Sequence, residues 1–240
     1  MEHELETFLA YMQETRKISE NTRVSYKRDI NKLLQFLAEK GIESLEDVTI
    51  THLESFVLYL EQEGFAAASV SRMIASLKAF FRYLAKNGLT GDYAEALKAP
   101  KVEKKKKEQL SADELFRLLD QPSKDTGKGI RDRAMMELLY ATGIRVSDLI
   151  ALQVSDLNLK LGCVTCRQQT ISFGRETQMA LARYLSAARH SFIKGMDSEL
   201  LFLNCSGGTM SRQGFWKLMK GYAKAAGIQT DITTNMIRKT

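Results

Sequence analysis

Two prolines in 240 residues, Pro100 and Pro122, are the feature that most limits what this chain can become. Proline breaks a helix interior because it lacks an N–H and its ring clashes with the preceding turn. Both prolines fall between stretches of helical period, so long helices can run uninterrupted and a mainly α protein is predicted. A hydrophobic content of 44% supplies enough core for one large domain or two small ones.

Residues 1–98 read as a compact helical domain. Leu5, Phe8, Leu9 and Met12 form one apolar stripe, and Ser19 supplies a cap for a helix through Tyr26, Ile30, Leu33, Phe36 and Leu37 to Gly41. Thr51 and Glu54 are spaced as a capping box for a third helix. A fourth starts near Ser69. On it Val70, Met73, Ile74, Leu77, Phe80, Phe81 and Leu84 share one side, while Arg72, Lys78, Arg82 and Lys86 gather on the other. On the second helix Arg28 and Lys32 also face away from the apolar stripe. Such basic faces are either solvated surface or a footprint for an anion.

Residues 99–110 carry Pro100 and then Lys101, Lys104, Lys105, Lys106 and Lys107 with almost no apolar side chain, which makes them an exposed basic linker. Residues 111–240 form a second, α-rich domain. It opens with a capping box, Ser111 and Glu114, ahead of Leu115, Phe116, Leu118 and Leu119. The glycines and lysine of the SKDTGKG loop at 123–129 lack the spacing of a nucleotide-binding loop. The period then turns to that of strands: residues 163–167 and 170–173 are predicted to pair as a small hairpin joined at Gln168 and Gln169. Cys163 and Cys166 lack the further ligands a structural zinc needs and read as strand residues. Phe215, Trp216, Leu218, Met219 and Tyr222 recur at helical spacing on a last helix capped by Ser211, which makes them core.

The informative stretch is 131–157. A helix bearing Ala134, Met135, Leu138 and Leu139 stops at Gly143, and a second is predicted to start at once with the apolar run Val146, Leu149, Ile150 and Leu152. Arg145 then stands at a helix start beside a tight turn, a guanidinium near free backbone N–H groups, which suits a phosphate. Asp148 is one turn on, placed to orient Arg145. The simpler alternative is a helical corner carrying a surface Arg–Asp pair.

YATGIRVSDL at 140–149 resembles, along nearly its whole length, the first conserved box of the tyrosine recombinases, the phage-integrase family, and most of all its Xer branch. The resemblance extends to the SENTRVSYKRD segment at 19–29 and to ITTNMIRKT at 232–240, covering almost the entire chain. It implies an N-terminal, SAM-like core-binding domain and a catalytic-type domain with a small β-hairpin or sheet, closing on double-stranded DNA as a clamp. Arg145 and Arg238 match the family's two catalytic arginines, with Asp148 in support. Asn235 stands where the family has a histidine, and Lys239 replaces a second. The family's hairpin carries a lysine that protonates the leaving oxygen, yet no lysine lies between Lys160 and Lys194. Arg167, charged at any neutral pH, is a poor proton donor in its place. The sequence ends at Thr240, before the position at which the family carries its tyrosine nucleophile.

The expected function is therefore that of a DNA-binding member of this family, acting in site-specific recombination or integration but unable to cut as given. Arg28, Lys32, Arg72, Lys78, Arg82 and Lys104 to Lys107 are the expected DNA contacts, and other recombinase subunits on DNA the expected protein partners. Without DNA a monomer is expected. A fragment of an active recombinase and a helical protein-interaction module are the alternatives. No metal or cofactor is implied, because arginines supply the positive charge in this chemistry. A net charge of +6 agrees with an anionic partner. Three cysteines, no apparent leader and no apolar run of membrane length place the chain in the cytoplasm.

Overall fold

The computed structural model describes residues 1–102, 109–195, 198–233, 236 and 237. The chain divides into two compact units, Met1–Lys105 and Lys106–Thr240.

The first unit consists of four helices, α1 (Glu2–Arg16), α2 (Glu20–Glu39), α3 (Ile50–Gln62) and α4 (Ala67–Lys86), followed by a 3-10 turn at Tyr93–Ala96. Phe8, Leu33, Leu37, Phe56, Leu77, Phe80 and Phe81 are all at or below 0% exposure in its core, so each helix contributes its apolar stripe as the periodicity predicts. Phe8 on α1 meets Phe80 on α4 edge to face, with ring centroids 5.3 Å apart. The Ser19 cap forms as expected, its Oγ accepting the Thr22 amide at 3.2 Å. The third helix starts two residues earlier than the Thr51 and Glu54 spacing suggested. Its cap is Thr49, whose amide donates to the His52 ring Nδ1 at 3.2 Å, so a histidine plays the part usually taken by a carboxylate.

The second unit holds α5 (Ala112–Asp120), α6 (Gly127–Thr142), the single turn α7 (Val146–Leu149), α8 (Arg175–Arg183) and α9 (Arg212–Ala225), with three antiparallel strands β1 (Leu157–Asn158), β2 (Cys163–Cys166) and β3 (Gln169–Ser172) in the order β1-β2-β3. The Ser111 capping box is realised in both directions, at 3.2 and 2.9 Å. The α6 helix is sheathed on nearly all sides: Ala134, Met135, Met136, Leu138 and Leu139 are each 0% exposed. That is why its apolar residues are consecutive rather than confined to one stripe. A π turn at Tyr184–Ala188 continues α8, and a 3-10 turn at Arg189–Phe192 completes it. Among the described residues no helix is long and apolar enough to cross a membrane.

The hairpin is shifted by one residue from its predicted turn. Cys166 pairs with Gln169, and the two residues between, Arg167 and Gln168, both have positive φ, 48° and 65°. Two successive left-handed residues are the signature of a two-residue turn whose twist matches the strands. Neither is glycine or asparagine, so the turn left no compositional mark.

Candidate phosphate site

Gly143 ends α6 in the left-handed conformation, with φ 64°. Ile144 is buried and Arg145 emerges exposed, the cap residue of α7. The continuous second helix predicted here is instead a four-residue turn: the Asp148 and Leu149 amides both close on the Arg145 carbonyl at 2.9 Å, and Leu149 and Leu152 are drawn into the core. One turn has almost no macrodipole, so an anion at this place is held by side chains. The Arg145 guanidinium has no hydrogen bond or ion pair among the described residues.

Asp148 does not turn to Arg145. It takes the hairpin arginine instead: Arg167 donates from Nε at 3.0 Å and from Nη2 at 2.8 Å, both to Asp148 Oδ1. The bond holds the Arg167 guanidinium even further above its ordinary pKa. A contact between residues nineteen apart therefore fixes the hairpin tip against α7, beside Arg145. Burial, with the Asp148 carboxylate adding to it, pushes the Cys166 thiol up, which argues against a reactive cysteine pair in this hairpin.

Behind this corner lies an ionic network that the sequence reading missed. Arg131, 2% exposed, donates to Asp132 Oδ1 from Nε and Nη2 at 2.9 and 2.6 Å and to the Leu203 carbonyl at 2.9 Å, with its carbon centre 4.9 Å from the Phe192 ring. Asp132 Oδ2 accepts from Lys128 at 2.7 Å and from the Tyr222 hydroxyl at 2.8 Å. Two adjacent opposite charges in a helix that is otherwise buried on all sides were the available signal. Tyr222 thus belongs to a polar cluster. Phe215 and Met219 are core as expected, while Trp216 is 39% exposed with the Lys220 ammonium 4.3 Å from its ring.

The basic face of α4 is less free than its periodicity suggested. Arg72 is bound to Asp29, a carboxylate on α2 with no exposure, which also accepts from Ser76 at 2.8 Å. Lys78 donates to the Glu95 carbonyl at 2.9 Å, and Arg82 pairs with Glu95 at 2.5 Å. Lys32 lies over the Phe65 ring at 4.9 Å. Arg28 is 69% exposed and only 3.9 Å from Asp29 Oδ1, its one ionic neighbour among the described residues. The expected contacts Lys104, Lys105, Lys106 and Lys107, and the expected site residues Asn235 and Arg238, lie outside the described residues. Just before Arg238, Ile237 is 1% exposed in the core.

A groove of about 940 Å³ opens between α5, α6 and the start of α8, lined by Phe116, Arg133, Glu137, Tyr140, Phe173 and Glu176 among others. Neither Arg145 nor Arg167 lines it, so the largest cavity and the exposed arginines are separate features. Among the described residues no group of three or more His, Cys, Asp or Glu side chains is placed to hold a metal ion.

Comparison with known proteins gives a consistent answer. Residues 108–240 match the phage integrase family and residues 5–88 match the phage integrase N-terminal SAM-like domain. The chain is 37% identical to tyrosine recombinase XerD of Oceanobacillus iheyensis, covering 99% of this chain and 82% of that protein. It is 34% identical to tyrosine recombinase XerC of Herpetosiphon aurantiacus, covering 99% and 80%. Among solved structures it shares its fold with a lambda integrase dimer bound to a COC′ core site, with a TM-score of 0.73 at 20% identity, covering 99% of this chain and 83% of that one. It also shares it with XerH site-specific recombinase bound to difH substrate, with a TM-score of 0.69 at 17% identity, covering 97% and 72%. With both of its units matched and Xer relatives aligned along almost all of its length, the chain belongs to the phage integrase family, the tyrosine recombinases.

Proposed function

We propose that this protein binds double-stranded DNA through phosphate contacts and takes part in site-specific recombination or integration, with strand cleavage weak or lost. The observation that carries the reading is Arg145: an exposed guanidinium, without a partner among the described residues, inside the family's first box. A cation held out to solvent at a rigid corner is suited to the charge on a phosphate's nonbridging oxygens. Arg238 is proposed as its companion, and Asn235, which can donate a hydrogen bond but cannot shuttle a proton near neutral pH, as a further phosphate ligand. The hairpin supports loss of cleavage. Its two turn residues are Arg167 and Gln168, and neither can hand a proton to a leaving oxygen at neutral pH.

For the first unit we propose Arg28 and Arg82 as phosphate contacts. Arg82 is 64% exposed, and its pair with the equally exposed Glu95 is weak enough for a phosphate to replace. Lys32 and Lys78 would add charge at shorter reach. Arg72 acts on the fold through Asp29. Lys104 to Lys107 would contribute contacts that carry no sequence information, and so a steep loss of affinity with salt. Other subunits of the same family would be the protein partners on DNA. Three free thiols fit the reducing cytoplasm.

Binding to a labelled duplex across a salt series tests this, with Arg145→Ala and a variant carrying Ala at Lys104 to Lys107 alongside, and a denaturing gel for covalent adducts. Salt-sensitive binding weakened by both variants, without an adduct, is expected. No binding at low salt would overturn DNA recognition, and an adduct would overturn the loss of cleavage.

A further inference from the structure

We infer that Arg167 is a second phosphate-contacting residue of this site and that Asp148 is its positioning residue, so that Arg145 and Arg167 together clamp one DNA phosphate. The inference rests on the proposed DNA-binding reading and names the residues that deepen it.

The hydrogen-bond inventory of Arg167 leads there. A guanidinium has five N–H donors in a fixed plane. Asp148 Oδ1 takes the Nε–H and one hydrogen of Nη2. Three N–H groups remain, two on Nη1 and one on Nη2, along the outer edge of the fork. That edge has the spacing of two oxygens of a phosphate. The Arg167 side chain is 60% exposed and that of Asp148 15%, so the inner edge is tied down and the outer one faces water. A long side chain that ordinarily samples many rotamers is thereby fixed in direction before any ligand arrives.

Location and backbone agree. Asp148 is three residues from Arg145 within the same turn, so the Arg167 fork lies against the segment that presents Arg145. Two guanidiniums around one carboxylate leave an excess of one positive charge at the corner. The turn that carries Arg167 holds it at φ 48° and Gln168 at 65°, a conformation unfavourable for residues other than glycine, and it is closed by the pairing of Cys166 with Gln169. A backbone held in such a conformation with its side chain clasped from outside the hairpin is a device for aiming that side chain. Arg167 replaces no proton donor in this scheme. Its role is charge and geometry alone.

The charge of Asp148 makes the proposal decisive. If Arg167 acted only through its positive charge, Asp148→Ala would strengthen DNA binding by removing a nearby negative charge, and Arg167→Lys would behave as the native protein. If Asp148 aims the fork, Asp148→Ala weakens binding despite the more favourable charge, and Arg167→Lys recovers less than half of what Arg167→Ala loses. Duplex binding by the full chain across a salt series reads this. Arg167→Ala is expected to weaken binding about tenfold and to lower the salt slope by roughly 0.9. Tighter binding by Asp148→Ala, or full recovery by lysine, would overturn the clamp. If circular dichroism finds Asp148→Ala unfolded, the lysine variant decides, because its exposed side chain leaves the fold intact. A second readout separates this inference from the DNA reading: arginine Nε resonances of the native protein followed by NMR as inorganic phosphate is added. Movement of the Arg167 signal together with that of Arg145 supports the clamp even if no duplex is bound, and a stationary Arg167 signal overturns it.

Discussion

Arg72 on α4 closes on Asp29 of α2, a carboxylate with no exposure whose second oxygen, Oδ1, has no hydrogen-bond partner. The guanidinium is the main compensation for that buried charge. Arg72→Ala is therefore expected to destabilise the first unit by about 3–5 kcal/mol, the cost of leaving a buried charge unpaired. Thermal unfolding of the single variants and of Asp29→Asn/Arg72→Met will check it, the double variant recovering much of the loss. A DNA-binding defect in Arg72→Ala would then be read as a folding defect unless the protein is still native at the assay temperature.

Arg131 makes a comparable prediction in the second unit. It ties α6 to the Leu203 carbonyl and neutralises Asp132 in a place with 2% exposure. Arg131→Met should cost about 3–5 kcal/mol because Asp132 keeps only Lys128 and Tyr222. Arg131→Lys should recover little, since an ammonium cannot serve the carboxylate and the carbonyl from one plane. Urea denaturation gives both values.

Burial raises the pKa of Glu137, with Glu176 adding to the effect and Arg133 opposing it. The folded state then holds this proton to a higher pH than the unfolded chain, whose value is near 4.5. Its contribution to stability is thus most favourable below that pH and diminishes as pH rises through the folded-state value. Glu137→Gln should raise stability at pH 7 by roughly 1 kcal/mol, as good single substitutions do, and make little difference at pH 4. Melting curves at the two pH values test the sign.

Two glycines in helices should respond oppositely to alanine. A Cβ on Gly129 would lie 2.1 Å from the Ser123 carbonyl oxygen, whereas one on Gly221 would meet nothing within 4 Å. Gly129→Ala is expected to destabilise by about 2–3 kcal/mol through overpacking. Gly221→Ala should stabilise α9 by roughly 0.5–1 kcal/mol. Differential scanning fluorimetry will separate the two.

What the sequence revealed and what it hid follow one physical division. The caps at Ser19, Ser111 and Ser211 were readable because donor and acceptor lie three residues apart. The stripes of α1, α2 and α4 were readable because periodicity is local. The Arg72 and Asp29 pair, 43 residues apart, was not: periodicity says which way a basic side chain faces but not what acid awaits it. Asp148 was assigned to Arg145, its neighbour along the helix, when its partner comes from the hairpin. The turn that delivers that partner is built from Arg167 and Gln168, which advertise no turn. Ser111 and Glu114 formed their box where Thr51 and Glu54 did not, because Thr49 and His52 made a competing one.

The π turn at Tyr184–Ala188 has a historical implication. It accommodates more chain per turn than an α-helix, and Phe192, the ring beneath Arg131, comes after it. Losing one residue there would produce a more regular helix, yet it would rotate everything beyond by roughly 100° and swing that ring away from the guanidinium. Among descendants of this chain, substitutions in the segment should accumulate freely while single-residue deletions are purged: the local irregularity is what keeps the distant register.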